Sequence, residues 1–371
     1  MKKTIDMHVH VGLLGDKWPK WGRFSSWYRQ QLVYKTFLLF ARLEEDKVCD
    51  TLLHETTIEA INTSGLDHVV CLALDPVFDN SGNRREDASH VWVANEYVTK
   101  LRKEIGSKVL FGASVHPYDP DFESRIKKCV DDGAVLIKWL PSAQQINLAD
   151  TRVLNALNIL AKVKNGNPLP LLLHVGPEYA IPSSDPKTAS FDYLSWTGFE
   201  GFINMFRGKN KFYKPEVDKI RENILRALDN GATIIFAHCG LPYFTSGVLA
   251  DIFEHSDFDV VKYYLEQSDK GRYRGNCYAD VSAFCTPFRK GYFRDISALP
   301  SARILYGSDF PTPAFRLFVD LKQAMDDLKA IMKGHLERII VPDENMLSFN
   351  YNELLQAFPG HPMFTNFGQL L

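Results

Sequence analysis

Four histidines and one aspartate stand where they could hold a divalent metal ion. His8-Val-His10 places two imidazoles two residues apart. In a β-strand, residues i and i+2 face the same side, so both rings can reach one ion. Alone, the pair is a weak motif and reads more readily as two hydrogen-bonded strand histidines. Three further residues change that reading. Leu-Leu-Leu-His174, Ile-Ile-Phe-Ala-His238 and Leu-Tyr-Gly-Ser-Asp309 each place a metal-type ligand at the carboxyl end of an apolar run. His8, His10, His174 and Asp309 are therefore expected to bind the ion, with His238 beside it. Imidazole and carboxylate donors suit zinc, with manganese, iron and cobalt as alternatives. Such an ion lowers the pKa of its water to about 7 and polarises a carbonyl. Asp309 is expected to accept the water's proton, and His238 to orient the water or stabilise a developing oxyanion.

Those residues converge only if their runs are neighbouring strands. Eight short apolar runs recur: 4–10, 67–74, 108–115, 134–139, 169–174, 232–238, 276–281 and 303–306. They are nearly continuous rather than alternating, as in parallel strands covered on both faces. Helical segments are expected at 49–64, 90–105, 122–131, 149–164, 215–229 and 315–333, with Gly65, Gly106, Gly133 and Gly231 each preceding the next strand. Strand–helix alternation of this kind predicts an α/β fold, a (β/α)8 barrel forming one domain over residues 1–371. Three connections are long, at 11–48, 176–214 and 241–275. They follow strands one, five and six, on the rim where such barrels build their sites. The first two are rich in aromatics, including Trp18, Trp21, Phe24, Phe191 and Trp196. They suit an apolar part of a substrate or packing against a second subunit. The apolar segment 31–41 is expected to be a buried or partner-facing helix.

Composition excludes several classes. Hydrophobic residues are 45% and charged residues 24%, ordinary for a globular protein. A net charge of −2 provides no field for nucleic acid or an anionic membrane. The basic residues are dispersed, so no nucleic-acid partner is expected. No apolar run is long enough to span a bilayer, and no targeting segment is expected at the start. The six cysteines form no CxxC pair and read as free thiols in a reducing cytoplasm.

The ordered set Ile-Asp-Met-His8-Val-His10, Leu-His174-Val-Gly, Ala-His238-Cys-Gly and Leu-Tyr-Gly-Ser-Asp309-Phe-Pro resembles the amidohydrolase superfamily. In particular it is similar to the amidohydrolase-related family of metal-dependent hydrolases and non-oxidative decarboxylases. Glu344-Asn-Met-Leu followed by Asn350 resembles that family's closing helix. The resemblance implies that His8, His10 and Asp309 bind metal. It implies that His174 binds it directly or at a second position, and that His238 is a second-metal ligand or a general acid/base.

Lys138, in Leu-Ile-Lys138-Trp, ends the fourth run. A lysine in an apolar strand facing a site calls for a partner. In binuclear amidohydrolases a lysine at that strand end is carboxylated and bridges two ions, which would make Lys138 a metal ligand. In mononuclear relatives it lines the pocket, where an ammonium would pair with Asp309 or a substrate carboxylate. Both readings stand, so one or two ions are expected. His116 could line the pocket, and Asp280 is expected to orient a neighbour. Arg289 and Arg294 could bind a substrate carboxylate but read as solvated residues. Cys239 is expected to point away from His238, because adjacent strand residues face opposite sides. The remaining histidines (54, 68, 90, 255, 335 and 361) read as structural or surface residues.

These residues predict a cytoplasmic metal-dependent hydrolase acting on an amide, ester or lactone of a small molecule, with a homodimer suggested by the family. A metal-dependent decarboxylase on the same scaffold is the alternative. A barrel that binds metal or ligand without turnover is the second.

Overall fold

The computed structural model describes residues 2–41, 43–196, 216–242, 254–286, 289–312 and 345–371. Eight strands form one parallel sheet in the order β1 (Ile5–His10), β3 (His68–Leu72), β5 (Val109–Ala113), β6 (Ala134–Trp139), β7 (Leu171–Leu173), β8 (Thr233–Phe236), β9 (Asn276–Asp280) and β10 (Ile304–Leu305). The sheet closes on itself. Val9 bridges Phe310 in parallel, and the His10 amide donates to the Phe310 carbonyl at 2.7 Å. Each strand except the last pairs with the next in sequence order, which defines a (β/α)8 barrel.

Side chains alternate between two apolar layers. Val70, Leu72, Leu136, Leu172, Ile235 and Tyr278 pack with one another and with Phe367, filling the barrel's interior. Their alternates, among them Val69, Cys71, Ile137, Leu173, Phe236 and Ala279, pack outward into a core shared with the helices. The inward parity continues beyond the apolar plug. Two residues past Leu136, Leu172 and Tyr278 come Lys138, His174 and Asp280. On β1 the register against β3 shifts between Asp6 and Val9. That irregularity lets Met7 join the interior plug while His8 and His10 still face the barrel mouth.

The helix Phe122–Asp131 matches its expected bounds, and Asp50–Thr63, Thr151–Leu160 and Val217–Asp229 follow expectation with shortened ends. The first long connection carries short helices at Ser26–Arg29 and Leu32–Phe40. Two readings are corrected. The segment 90–105 is not one helix: Val91–Val93 forms β4, paired antiparallel with β2 (Gly22–Phe24), and the helix begins at Asn95. Val-Trp-Val is a β-branched and aromatic run, and its pairing with the first loop overrides helical periodicity. The stretch 241–275 is not all loop, since Phe258–Asp269 is a helix packed on β9. The helix expected at 315–333 lies outside the described residues. The closing helix spans Met346–Ala357 and is capped by Asn345. The six cysteines are free, and all but Cys49 are buried. Among the described residues no helix is long and apolar enough to cross a membrane.

Candidate metal centre

Three donor atoms meet at the mouth of the barrel. His8 Nε2 lies 3.1 Å from His10 Nε2, and Asp309 Oδ1 lies 3.3 Å from each. Ligands held about 2.0–2.1 Å from a tetrahedral zinc are separated by about 3.3 Å, so the triangle fits such an ion. Hydrogen bonding fits as well. His8 Nδ1 donates to Asp280 Oδ2 at 2.9 Å, which leaves Nε2 as a lone pair aimed into the triangle. Burial pushes the His8 pKa down to about 4, so the ring is neutral and able to ligate at neutral pH. Burial alone would raise the Asp309 pKa, but His238, His10 and His8 hold it well below the carboxylate range.

Asp280 is the hub beneath the triangle. It is fully buried and accepts from His8, from the His238 amide at 2.9 Å, from the Ser282 amide at 3.0 Å and from the Ser282 hydroxyl. Against the effect of burial, these donors hold its carboxyl below the usual range. Its expected orienting role thus has a partner, His8. Asp309 sits at a φ of 62° and its amide donates to the His8 carbonyl at 2.9 Å, so backbone and side chain both tie it to β1. Thr312 donates to its second oxygen at 2.8 Å.

The other expected residues lie around this triangle rather than in it. His174 sits between two carboxylates, with Nδ1 3.2 Å from Asp192 and Nε2 3.1 Å from Glu178. Burial opposes its protonation, but the two carboxylates outweigh that and raise its pKa. Lys138 is fully buried, with Nζ 3.2 Å from His8 Nε2. Burial is the main cause of its lowered pKa. His238 stacks on His8 with ring centroids 5.3 Å apart. Its Nδ1 donates to the Ser282 hydroxyl at 2.8 Å, and burial drives its pKa well below the usual value.

β8 ends at Phe236, and His238 and Cys239 follow in left-handed backbone at φ 57° and 53°. Cys239 Sγ lies against the Asp280 carbonyl at 3.2 Å, within the outward core. It is away from the pocket, but through this turn rather than through strand alternation. His116 is buried outside the pocket, donating to the Gln144 carbonyl at 2.8 Å and accepting from the Tyr118 amide at 3.1 Å. Arg294 is exposed as expected, but Arg289 is not solvated. It is buried, donates to the carbonyls of Leu241, Pro242 and Ser282, and lines the cavity. His335 lies outside the described residues.

A cavity of about 370 Å³ opens over the triangle, with His10, His174, His238, Glu178 and Asp309 at its polar end. Sequence reasoning missed Glu178 and Asp192. Glu178 had a signal, since it follows the strand-end His174 by four residues on the catalytic rim. Asp192, eighteen residues on within a long loop, had none.

Neither protein-family models nor curated proteins match the chain. Solved structures resemble it distantly. One is 2,6-dihydroxybenzoate decarboxylase complexed with 2,6-dihydroxybenzoate, at 13% identity over 96% of this chain and 99% of that one, with a TM-score of 0.42. Another is 5-carboxyvanillate decarboxylase from Novosphingobium aromaticivorans complexed with manganese, at 13% identity over 96% of each chain and a TM-score of 0.44. A third is amidohydrolase 2 from Bifidobacterium longum subsp. infantis, at 15% identity over 96% of this chain and 98% of that one, with a TM-score of 0.42.

Proposed function

We propose that the chain is a metal-dependent hydrolase that activates water against an amide, ester or lactone bond of a small organic substrate. One observation carries this reading: His8 Nε2, His10 Nε2 and Asp309 Oδ1 converge within 3.1–3.3 Å at the polar end of an otherwise apolar cavity. Two imidazoles and a carboxylate suit zinc, with manganese, iron or cobalt as alternatives. Three protein ligands leave a position open, as catalytic rather than structural sites do. A divalent ion there would supply Lewis acidity and lower the pKa of a water to about 7.

The protein's own groups perform the remaining work. Asp309 is ionised and faces the cavity, placed to take the proton of the attacking water. His238 is neutral and its Nδ1 proton is held by Ser282, which leaves Nε2 as an acceptor. That tautomer orients a water hydrogen rather than donating to an oxyanion. Asp280 keeps the His8 lone pair on the triangle. His174, held between Glu178 and Asp192, fixes the polar side of the cavity next to the triangle. The apolar walls exclude competing water.

The test is turnover by zinc-loaded protein on a panel of amides, esters and lactones, compared with Asp309→Asn. Removing the proton acceptor should lower kcat by at least about a hundredfold. Release of CO₂ without hydrolysis products would replace this reading with the decarboxylase. Bound zinc with no turnover that Asp309→Asn alters would replace it with a non-catalytic barrel.

A further inference from the structure

The cavity's charged and imidazole side chains are His10, His174, Glu178, His238, Arg289 and Asp309, and most of the rest of its lining is apolar. Its far wall is built from Phe24, Tyr28, Val33, Phe37, Val91 and Leu140. The helix Leu32–Phe40 shows how that wall is made. Tyr34 and Leu38, 1% and 3% exposed, anchor it in a cluster with Phe24, Tyr28 and Leu53. Val33, Thr36 and Phe37, at i, i+3 and i+4, form a second stripe lining the cavity. The helix is therefore apolar on two faces, one packed on protein and one facing the space over the metal triangle. Thr36 does not make that stripe polar, because its hydroxyl donates to the Leu32 carbonyl at 3.0 Å within its own helix. The helix's one charged residue, Lys35, is exposed and stays off the cavity.

We propose that the substrate carries an uncharged apolar arm, straight-chain or arylalkyl, that lies along this wall while its reacting group sits at the triangle. The inference rests on the triangle as the reacting end. It excludes substrates with a second carboxylate at the far end. A second carboxylate there would lose its water and find only the Tyr28 hydroxyl among the wall residues named. An apolar arm gains instead, by a factor of about four in affinity for each methylene removed from water.

Calorimetric titration of the zinc-loaded full chain tests this with butanoate, pentanoate, hexanoate and octanoate, and with adipate and suberate as diacids of matched length. Affinity should rise about fourfold per methylene, and each diacid should bind at least about tenfold more weakly than the monoacid of its length. Val33→Asp, which puts a charge on this wall, should flatten the series, and circular dichroism checks that the variant is folded. A flat series in the wild type, or diacids binding as well as monoacids, overturns the apolar arm whatever the metal does. The same titration on Asp309→Asn separates the two readings. A slope that persists there, with weaker binding overall, supports the arm. Equal binding by both proteins leaves the arm standing and removes the metal triangle as the reacting end.

Discussion

Replacing Asp280 by asparagine should loosen the metal centre without touching a proposed ligand. The carboxylate accepts from four donors at once: His8 Nδ1, the amides of His238 and Ser282, and the Ser282 hydroxyl. An asparagine has one acceptor oxygen and one NH₂ group. If its oxygen keeps the two amides, its NH₂ faces His8 Nδ1. His8 then shifts its proton to Nε2, and the lone pair that points into the triangle is lost. If the amide flips, the NH₂ confronts two backbone N–H groups instead. Loss of a charged hydrogen-bond acceptor costs about 1.5–3 kcal/mol. Loss of such a supporting partner typically weakens metal binding by about 10- to 100-fold, which is the same range. Competition for zinc against a chromophoric chelator reads the affinity, and circular dichroism checks that the variant is folded. A folded Asp280→Asn protein that binds zinc within threefold of the wild type would show that His8 is not held in register by Asp280.

Three further perturbations separate metal chemistry from architecture. The two groups of potential ligands among the described residues, His8–His10–Asp309 and His8–His238–Asp280, share His8, so one ion per chain is expected and Lys138→Ala should retain it. Two ions in the wild type falling to one in the variant, measured by plasma emission, would instead establish a bridging carbamate on Lys138. Buried His116 has its pKa lowered from 6.5 to about 4, so as pH falls through that window the unfolded chain takes up a proton that the native ring refuses. That contribution is intact above 6.5 and lost towards 4. His116→Gln keeps a donor and an acceptor but removes the titration, so urea melts should show it gaining about 2 kcal/mol on the wild type between pH 7 and about 4.5. Asp50 is fully buried and accepts from the amides of Leu14, Gly15, Lys17 and Trp18. Asp50→Ala leaves those amides unpaired and should cost on the order of 3 kcal/mol, with limited proteolysis now cutting the first loop. An uncut loop and unchanged melting would show that it is held by something else.

The barrel was legible because buried parallel strands are written as continuous apolar runs. The 134–139 run coincides with β6, and the others differ from their strands by at most two residues at either end. The direction of His8 and His10 followed from strand parity. The bulge that lets Met7 and His8 share the interior did not, because it arises from pairing with β3. Val91–Val93 was misread because its partner strand lies some seventy residues upstream. Periodicity within the segment could not register that long-range pairing. The Phe258–Asp269 helix was hidden in a segment with polar and aromatic residues on both sides. Arg289 shows the limit most clearly. Its composition argues for solvent, yet three backbone carbonyls from two loops hold it inside, and no local pattern encodes carbonyls brought together by tertiary folding.

The first loop is fastened at two points that have nothing to do with the triangle: the β2–β4 ribbon and the Asp50 carboxylate beneath residues 14–18. The helix Leu32–Phe40 hangs from that assembly by Tyr34 and Leu38. None of the three converging donors belongs to it. On the proposed function, the reacting end stands on the closed barrel and the substrate's apolar arm meets a separately fastened bracket. Mutations that reshape the bracket leave the three converging donors in place. On such a scaffold, descendants are free to diverge in what they accept long before they diverge in what they do to it.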